Sequence, residues 1–265
     1  MTLRVLFTGG AGYIGSVVVD QLLARACRVV VLDDLSTGHR AAVAEDAEFI
    51  EGGIGDRAAV EALLARRPVD AIVHLAAFAL VAESVAHPEK HQANNVASAR
   101  VLLDAAVAAG VRRFVFSSSC AVYGHPARTP IGEDAPQAPV NPYGETKREF
   151  ERVLEEYAGR HRLGSVSLRY FNAAGATERR GEDHEPETHL IPNGLGVALG
   201  RRPAVDVYGT DYPTADGTAV RDYIHVDDIA DAHVRALDLP PGGAVALNLG
   251  TGAGHSVREV VDAAR

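Results

Sequence analysis

The stretch Thr8-Gly9-Gly10-Ala11-Gly12-Tyr13-Ile14-Gly15 decides the fold. It follows an apolar run at residues 3–7 and opens an amphipathic pattern at 14–26. A strand that turns on glycines straight into a helix aims the unpaired amides of the helix's first turn beyond the strand end, and glycine lets an anionic ligand come close to the backbone. Gly10, Gly12 and Gly15 fit the spacing of a dinucleotide-binding fingerprint; Gly9, Gly12 and Gly15 fit a variant of it. A glycine-rich turn with no ligand is the bland alternative, and the strand-like run before it and helical pattern after it argue against that.

Outward from this stretch, short apolar runs alternate with longer amphipathic ones. The runs lie at 3–7, 29–32, 48–50, 71–75, 114–116 and 166–168; the helical patterns lie at 14–26, 58–66, 92–109 and 142–161. The runs are continuous, as expected of strands covered on both faces. The expectation is an α/β fold: a Rossmann-like doubly wound parallel sheet over residues 1–172, then a smaller lobe over 173–265, some of whose segments return to the first domain. In that lobe helices are expected at 190–199, 226–237 and 256–265 and strands at 205–208 and 245–249. Residues 177–188 and 211–218 read as loops. Val257, Val260 and Val261 have no later element to pack against.

Composition narrows the function classes. At 47% hydrophobic and 23% charged residues the chain is an ordinary globular one, with no apolar run of membrane-spanning length and no leader-like N-terminus. A net charge of −9 gives no general attraction to nucleic acid or an acidic membrane surface. Cys27 and Cys120 are far apart and in no ligand spacing, so a cytoplasmic, reducing compartment and no metal site are expected. Of 26 basic residues only Lys90 and Lys147 are lysines, so a lysine here is an unusual choice.

Three further stretches carry chemistry. Leu32-Asp33-Asp34 ends the second strand about 20 residues past the glycines, where a carboxylate accepts hydrogen bonds from adenosine ribose hydroxyls and repels a 2′-phosphate. That favours NAD; Asp33 could instead only cap the next turn, and Arg40 keeps NADP open. Asn141-Pro142-Tyr143-Gly144-Glu145-Thr146-Lys147 starts a helix with Asn141 as cap and proline in the first turn. Tyr143 and Lys147 then share a face that continues through Phe150, Leu154 and Tyr157, an apolar stripe. A buried ammonium beside a phenol stabilises the phenolate and makes a usable acid–base; the alternative is a core tyrosine with a snorkelling lysine, which an arginine would serve as well. The serines of Phe116-Ser117-Ser118-Ser119-Cys120 sit at a predicted strand's C-terminal end, as oxyanion donors or merely as caps. His184 and His189 fall in an acidic loop without zinc spacing, and His74 and His225 read as structural.

Together Gly9–Gly15, Asp33, Ser119, Tyr143 and Lys147 resemble the extended short-chain dehydrogenase/reductase family. His74-Leu75-Ala76-Ala77, Val81-Ala82-Glu83-Ser84, Asn94-Asn95-Val96, Arg169-Tyr170-Phe171-Asn172 and the run from Tyr208 to Val226 extend the resemblance over essentially the whole chain, toward that family's UDP-glucose 4-epimerases. The resemblance implies tightly bound NAD, held by Gly9, Gly12, Tyr13, Ile14, Gly15, Asp33, Ile54, Ala76, Asn95, Ser117, Tyr143, Lys147 and Tyr170. It implies a small-molecule UDP-sugar partner, contacted by Ser119, Tyr143, Phe171, Asn172, His189, Leu190, Tyr208 and Arg221, and a homodimer. Tyr143 would move the C4 hydroxyl proton, Lys147 would bind the nicotinamide ribose and depress the Tyr143 pKa, and Ser119 would bind the reacting oxygen. Sister dehydratases carry an Asp-Glu pair where this chain has Cys120-Ala121, which disfavours chemistry at C5 or C6. Gly53 stands where the family binds the adenine amino group with an aspartate; Ala79 and Ala82 replace a lysine and a glycine found in some members. Family members run several tens of residues longer, so the chain is expected to bind NAD but epimerise poorly. Other UDP-sugar 4-epimerases, an NAD-dependent sugar-nucleotide oxidoreductase and a non-catalytic NAD-binding module are the competing readings.

Overall fold

The computed structural model describes residues 2–240 and 242–265. The chain runs β1 (Arg4–Thr8), α1 (Tyr13–Ala24), β2 (Arg28–Asp33), β3 (Glu48–Glu51), α2 (Arg57–Arg66), β4 (Ala71–His74), α3 (Val81–Ala86), α4 (Pro88–Gln92), α5 (Ala99–Ala108), β5 (Arg113–Ser117), α6 (Pro142–His161) and β6 (Gly164–Tyr170). It continues with β7 (Asn172–Ala174), α7 (Leu190–Ala198), β8 (Val220–His225), α8 (Val226–Ala236), β9 (Ala244–Leu249), β10 (Gly254–Ser256) and α9 (Val257–Ala263). Seven strands form one sheet in the order β3-β2-β1-β4-β5-β6-β9, every pairing parallel. The order reverses between β1 and β4, so a crevice opens beyond their carboxyl ends, where open parallel sheets bind ligands.

The continuous apolar runs are explained by two cores. Val5, Phe7 and Val31 face Val17, Val18 and Leu22 of α1 and Val226, Ala230 and Val234 of α8. Leu6, Ile72, Phe114 and Phe116 face Leu63 and Leu64 of α2, Leu102 and Leu103 of α5, and Phe150 and Leu154 of α6. Successive residues of one strand are therefore buried on opposite faces. Both α8 and β9, late in the chain, belong to this sheet: α8 packs on α1 and β9 pairs with β6.

The remainder builds a three-stranded sheet, β10-β8-β7, with β8 parallel to β7 and antiparallel to β10. None of these strands is anticipated in the sequence, because β7 and β10 have three residues each and β8 mixes Arg221 and Asp222 with apolar neighbours. Conversely, the strand expected at 205–208 does not form. Val207 and Tyr208 are 42% and 87% exposed, and alternation without a neighbouring edge to pair with makes no ladder. The helix expected at 92–109 is interrupted by a π-helical stretch, Ala93–Ser98, and α3 precedes it unforeseen. Helix α9 opens with a reciprocal capping box between Ser256 and Glu259; Val260 and Val261 line an apolar groove whose other wall is Leu190, Ile191 and Leu195 of α7. Among the described residues no helix is long and apolar enough to cross a membrane.

Candidate active site

The glycines of the first turn do different jobs. A side chain on Gly15 would stand 2.0 Å from the Gly9 carbonyl oxygen, and one on Gly9, whose φ is +81°, would stand 2.6 Å from the Ala76 nitrogen. Those two glycines are required by the protein's own backbone. Gly12 is different: a Cβ there meets only the Gly9 oxygen, at 3.6 Å. It caps α1 without a side-chain hydrogen bond to the helix amides. Internal packing gives no reason for glycine at 12, and a helix N-terminus with room for an anion is what a dinucleotide diphosphate requires. Asp33, 8% exposed, accepts from the Ala11 amide through Oδ2 and the Leu35 amide through Oδ1, both at 2.9 Å. It thus caps the turn and also ties β2 to the glycine loop. Each oxygen keeps lone-pair capacity for a ribose hydroxyl. Burial raises its pKa against the two amides. Arg40 lies 4.4 Å over the Phe49 ring.

The other residues assigned to the cofactor are placed variously. Gly53 follows β3 beside Asp33, since the Gly52 amide bonds to the Asp33 carbonyl, and a Cβ on Gly53 meets nothing within 4 Å. Asp56 does not stand in for the missing aspartate: its Oδ1 caps α2 by accepting from the Ala59 amide at 3.1 Å. Ile54 is buried in the α2–α5 core. Asn95 makes two hydrogen bonds to the Phe78 backbone and one to Thr146, bracing the loop after β4. Tyr13 donates to the Gly175 carbonyl at 2.5 Å.

Helix α6 starts as the sequence implied, with Asn141 Oδ1 accepting from the Gly144 amide at 2.8 Å. That start sets Tyr143, 8% exposed, and Lys147, 3% exposed, against the end of β5. Lys147 Nζ donates to the Ser117 carbonyl at 2.7 Å and lies 5.7 Å from the Tyr143 ring centroid. Ser119 acts to lower the Tyr143 pKa, against the larger effect of burial. Ser119 Oγ accepts from the Ala121 amide at 3.2 Å, which leaves its O–H free to donate. Tyr170 ends β6, with its ring 6.3 Å from that of His233. The expected depression of the Tyr143 pKa is not what the chain by itself produces. Burial pushes the Tyr143 phenol well above its ordinary range, and burial lowers Lys147 to about 7. Desolvation outweighs the ammonium, which is turned toward Ser117 rather than the phenol oxygen. Cys120 is also pushed up, to about 11, by burial.

The three-stranded sheet carries Asn172 on β7 and Arg221 on the neighbouring β8. Asn172 donates to the Asp222 carbonyl at 2.9 Å, and Phe171 follows Tyr170 with its amide on the Leu249 carbonyl. The charge of Arg221 acts on Cys120, beside Ser119. Tyr208 stays exposed on an irregular segment. The segment between β7 and α7 runs back over the glycine loop, held by Arg180 on Asp20 at 2.8 and 3.0 Å and by the Asp183 carbonyl on His39 at 2.9 Å. It ends at His189, just before Leu190 opens α7. There Glu182, His184, Glu187 and His189 offer ligand-type atoms within 4.8 Å of one another. No helical spacing announces this cluster, because a loop assembles it. Its carboxylates hold His189 up at about 9, and the imidazoles hold Glu182 down at about 2. His74 is structural: its Nδ1 pairs with the Thr8 hydroxyl at 2.7 Å.

Sequence reading missed three supports of the site. Glu151 lies one turn beyond Lys147 and forms a buried ion pair with Arg169, also receiving a hydrogen bond from Ser118 at 2.5 Å. A carboxylate beside Phe150 on the apolar stripe was its signal. Asp222 takes the amides of Thr251 and Gly252 and so fixes the turn after β9. His233, inside α8, bonds Ser117 Oγ at 2.8 Å.

Known proteins share this fold. Residues 5–250 match the NAD dependent epimerase/dehydratase family. A UDP-glucose 4-epimerase of Rhizobium meliloti (strain 1021) is 53% identical, over 98% of this chain and 80% of its own length. The crystal structure of UDP-glucose 4-epimerase from Brucella ovis in complex with NAD is similar at a TM-score of 0.94 and 47% identity, over 98% of this chain and 81% of that one. A UDP-glucose 4-epimerase from Bifidobacterium longum, solved in complex with NAD+ and UDP, gives a TM-score of 0.94 at 38% identity, over 98% of this chain and 82% of that one. With identities this high over nearly its full length, the chain belongs to the NAD dependent epimerase/dehydratase family, among its UDP-glucose 4-epimerases.

Proposed function

We propose that the chain interconverts UDP-glucose and UDP-galactose by oxidising the sugar at C4 and reducing it again on the other face. The observation that carries this is the convergence of Tyr143, Ser119 and Lys147 at the end of β5, one strand away from the β1–β4 crevice and its glycine loop. The glycine loop, Asp33 and Lys147 would hold NAD, which when bound would supply the acceptor for the C4 hydrogen and, in its oxidised form, a positive charge.

The rest falls to the chain's own residues. Tyr143 takes the proton of the C4 hydroxyl and later returns one to the same oxygen. Because burial makes its phenolate costly, the base forms only where positive charge is close, which confines the chemistry to the loaded site. Ser119 donates its free O–H to the reacting oxygen as charge develops there. Lys147, anchored by the Ser117 carbonyl, keeps two further N–H groups for the cofactor ribose. Arg221, Asn172, His189 and Leu190 frame the nucleotide end of the substrate. Cys120, with its thiol held protonated, moves no proton at C5 or C6, so the 4-keto sugar returns by reduction rather than elimination. Free Cys27 and Cys120 fit a cytoplasmic setting. The test is to incubate purified chain with UDP-glucose. A constant UDP-galactose to UDP-glucose ratio, reached with no net NADH released, supports the reading; NADH accumulating with the substrate oxidised would make the chain a dehydrogenase instead.

A further inference from the structure

We propose that Glu182, His184, Glu187 and His189 bind one divalent transition-metal ion of the zinc class, which staples the segment between β7 and α7. The proposal does not depend on the reaction assigned above.

Each of the four residues offers one ligand atom, and these atoms lie within 4.8 Å of one another. Four protein ligands held tetrahedrally at zinc's usual distances stand about 3.4 Å apart. The contacts already made are of that order or shorter. His184 Nδ1 is 3.2 Å from Glu182 Oε1, and His189 Nδ1 is 2.6 Å from the same oxygen and 2.8 Å from Glu187 Oε1. Small side-chain rotations separate this arrangement from a closed coordination shell. In the metal-free chain a proton holds His189 to the two carboxylates, and it serves them poorly, since one Nδ1–H cannot point along two directions at once. A cation takes a lone pair from all four groups. Imidazole nitrogen with carboxylate oxygen is a donor set that zinc accepts.

Charge points the same way. With both rings neutral the four side chains carry two negative charges. The Glu182 and Glu187 side chains are only 11% and 19% exposed, and among the described residues neither pairs with an arginine or lysine, although the chain has 26 basic residues. Largely desolvated carboxylates need a counter-charge, and a dication supplies it. The place is also one that needs a staple. Residues 175–189 contain no helix or strand, and among the described residues 181–188 make no backbone–backbone hydrogen bond. Side chains therefore set the shape of this segment. It is anchored beside the glycine loop by Arg180 on Asp20 and by the Asp183 carbonyl on His39. The ion would join Glu182, next to that anchor, to His189, the N-cap of α7. Four protein ligands leave no open position for water, so the ion is structural rather than catalytic.

The test uses the untagged, NAD-loaded chain, freed of metal with a chelator and dialysed. Zn2+ is titrated by calorimetry and Co2+ by visible absorption, with proteolysis of residues 178–189 followed in parallel. The expected result is one ion per chain, the strong visible absorption of four-coordinate Co2+, and slower cleavage of the segment with Zn2+ bound. Losing even an outer partner of a metal ligand costs about 10- to 100-fold in affinity, so His184→Ala and Glu187→Gln should each weaken Zn2+ by at least about 100-fold. His87→Ala, at an exposed histidine elsewhere, should bind as wild type does. Melting temperatures establish that each variant is folded; if one is not, the other decides. The proposal is overturned if the wild-type chain shows no saturable one-to-one binding, or if Co2+ at saturation gives only the weak absorption of a six-coordinate ion. It is overturned equally if a folded His184→Ala or Glu187→Gln variant binds Zn2+ like wild type, or if His87→Ala abolishes binding.

Discussion

Gly53→Asp should tighten NAD binding. The position follows β3, two residues past Glu51, which pairs with Asp33 at the end of the neighbouring strand, and the resemblance places the adenine amino group there. A Cβ at Gly53 meets nothing within 4 Å, and its φ is outside the left-handed region, so a side chain enters without strain. The nearest alternative carboxylate, Asp56, is committed to the α2 amides. A hydrogen bond to an ionised carboxylate contributes about 1.5–3 kcal/mol, which corresponds to about 12- to 160-fold in Kd. Gly53→Ala is the control, because replacing glycine at a compatible site stabilises the fold by about 0.4–1 kcal/mol through the unfolded chain without touching the ligand. NAD would be stripped, and Kd measured by calorimetry for wild type, Ala and Asp. Asp is expected to bind more tightly than Ala by that factor, with Ala equal to wild type. An Asp variant no tighter than Ala would show that adenine lies elsewhere.

Other outcomes follow from the same geometry. Tyr143→Phe should lower turnover by at least about 100-fold with NAD still bound, measured by a coupled UDP-galactose assay. NAD should bind more tightly than NADP, and Asp33→Ala should narrow that preference while destabilising the apo chain by about 1–3 kcal/mol, because two buried amides lose their acceptor; equal affinities in wild type would remove Asp33 as the ribose ligand. Gly15→Ala should cost about 1–3 kcal/mol or more of stability in denaturant melts, whereas Gly12→Ala should stay within about 1 kcal/mol yet lose NAD affinity, since only Gly15 presses on protein. The Glu182–His189 contact should depend on pH. His189, raised to about 9, contributes its full share below its ordinary value and loses it as pH rises through 9. Glu182, lowered to about 2, contributes above its ordinary value and loses it as pH falls through 2. Limited proteolysis of the segment before α7 should thus be slow near pH 6 and fast near pH 9.5; a rate that does not change would show that the cluster does not hold the loop.

What was legible in the sequence was what repeats a backbone rule. The parallel strands announced themselves as short apolar runs, and α6 because Asn141 and Pro142 mark its start. The glycine loop, Asp33 and the Tyr143/Lys147 face were readable because their spacing is local. The small sheet was not, since β7, β8 and β10 are short, partly polar and come together from three distant segments. Nor were the supports of the site. His233 reaches Ser117 across 116 residues, and the ion pair of Arg169 with Glu151 joins a strand to a helix. The Val205-Asp206-Val207-Tyr208 alternation misled for the converse reason: a strand needs an edge to pair with, and a pattern in one segment says nothing of its partner.

The central claim is that the C4 hydrogen leaves the sugar and comes back, with Tyr143 moving only the hydroxyl proton. UDP-glucose deuterated at C4, turned over by the purified chain in ordinary water, tests this most directly. The account predicts UDP-galactose that keeps deuterium at C4, in wild type, and no product at a comparable rate from Tyr143→Phe. Loss of the label to solvent during epimerisation would mean that the C4 hydrogen is removed as a proton, and would contradict oxidation and re-reduction at that carbon.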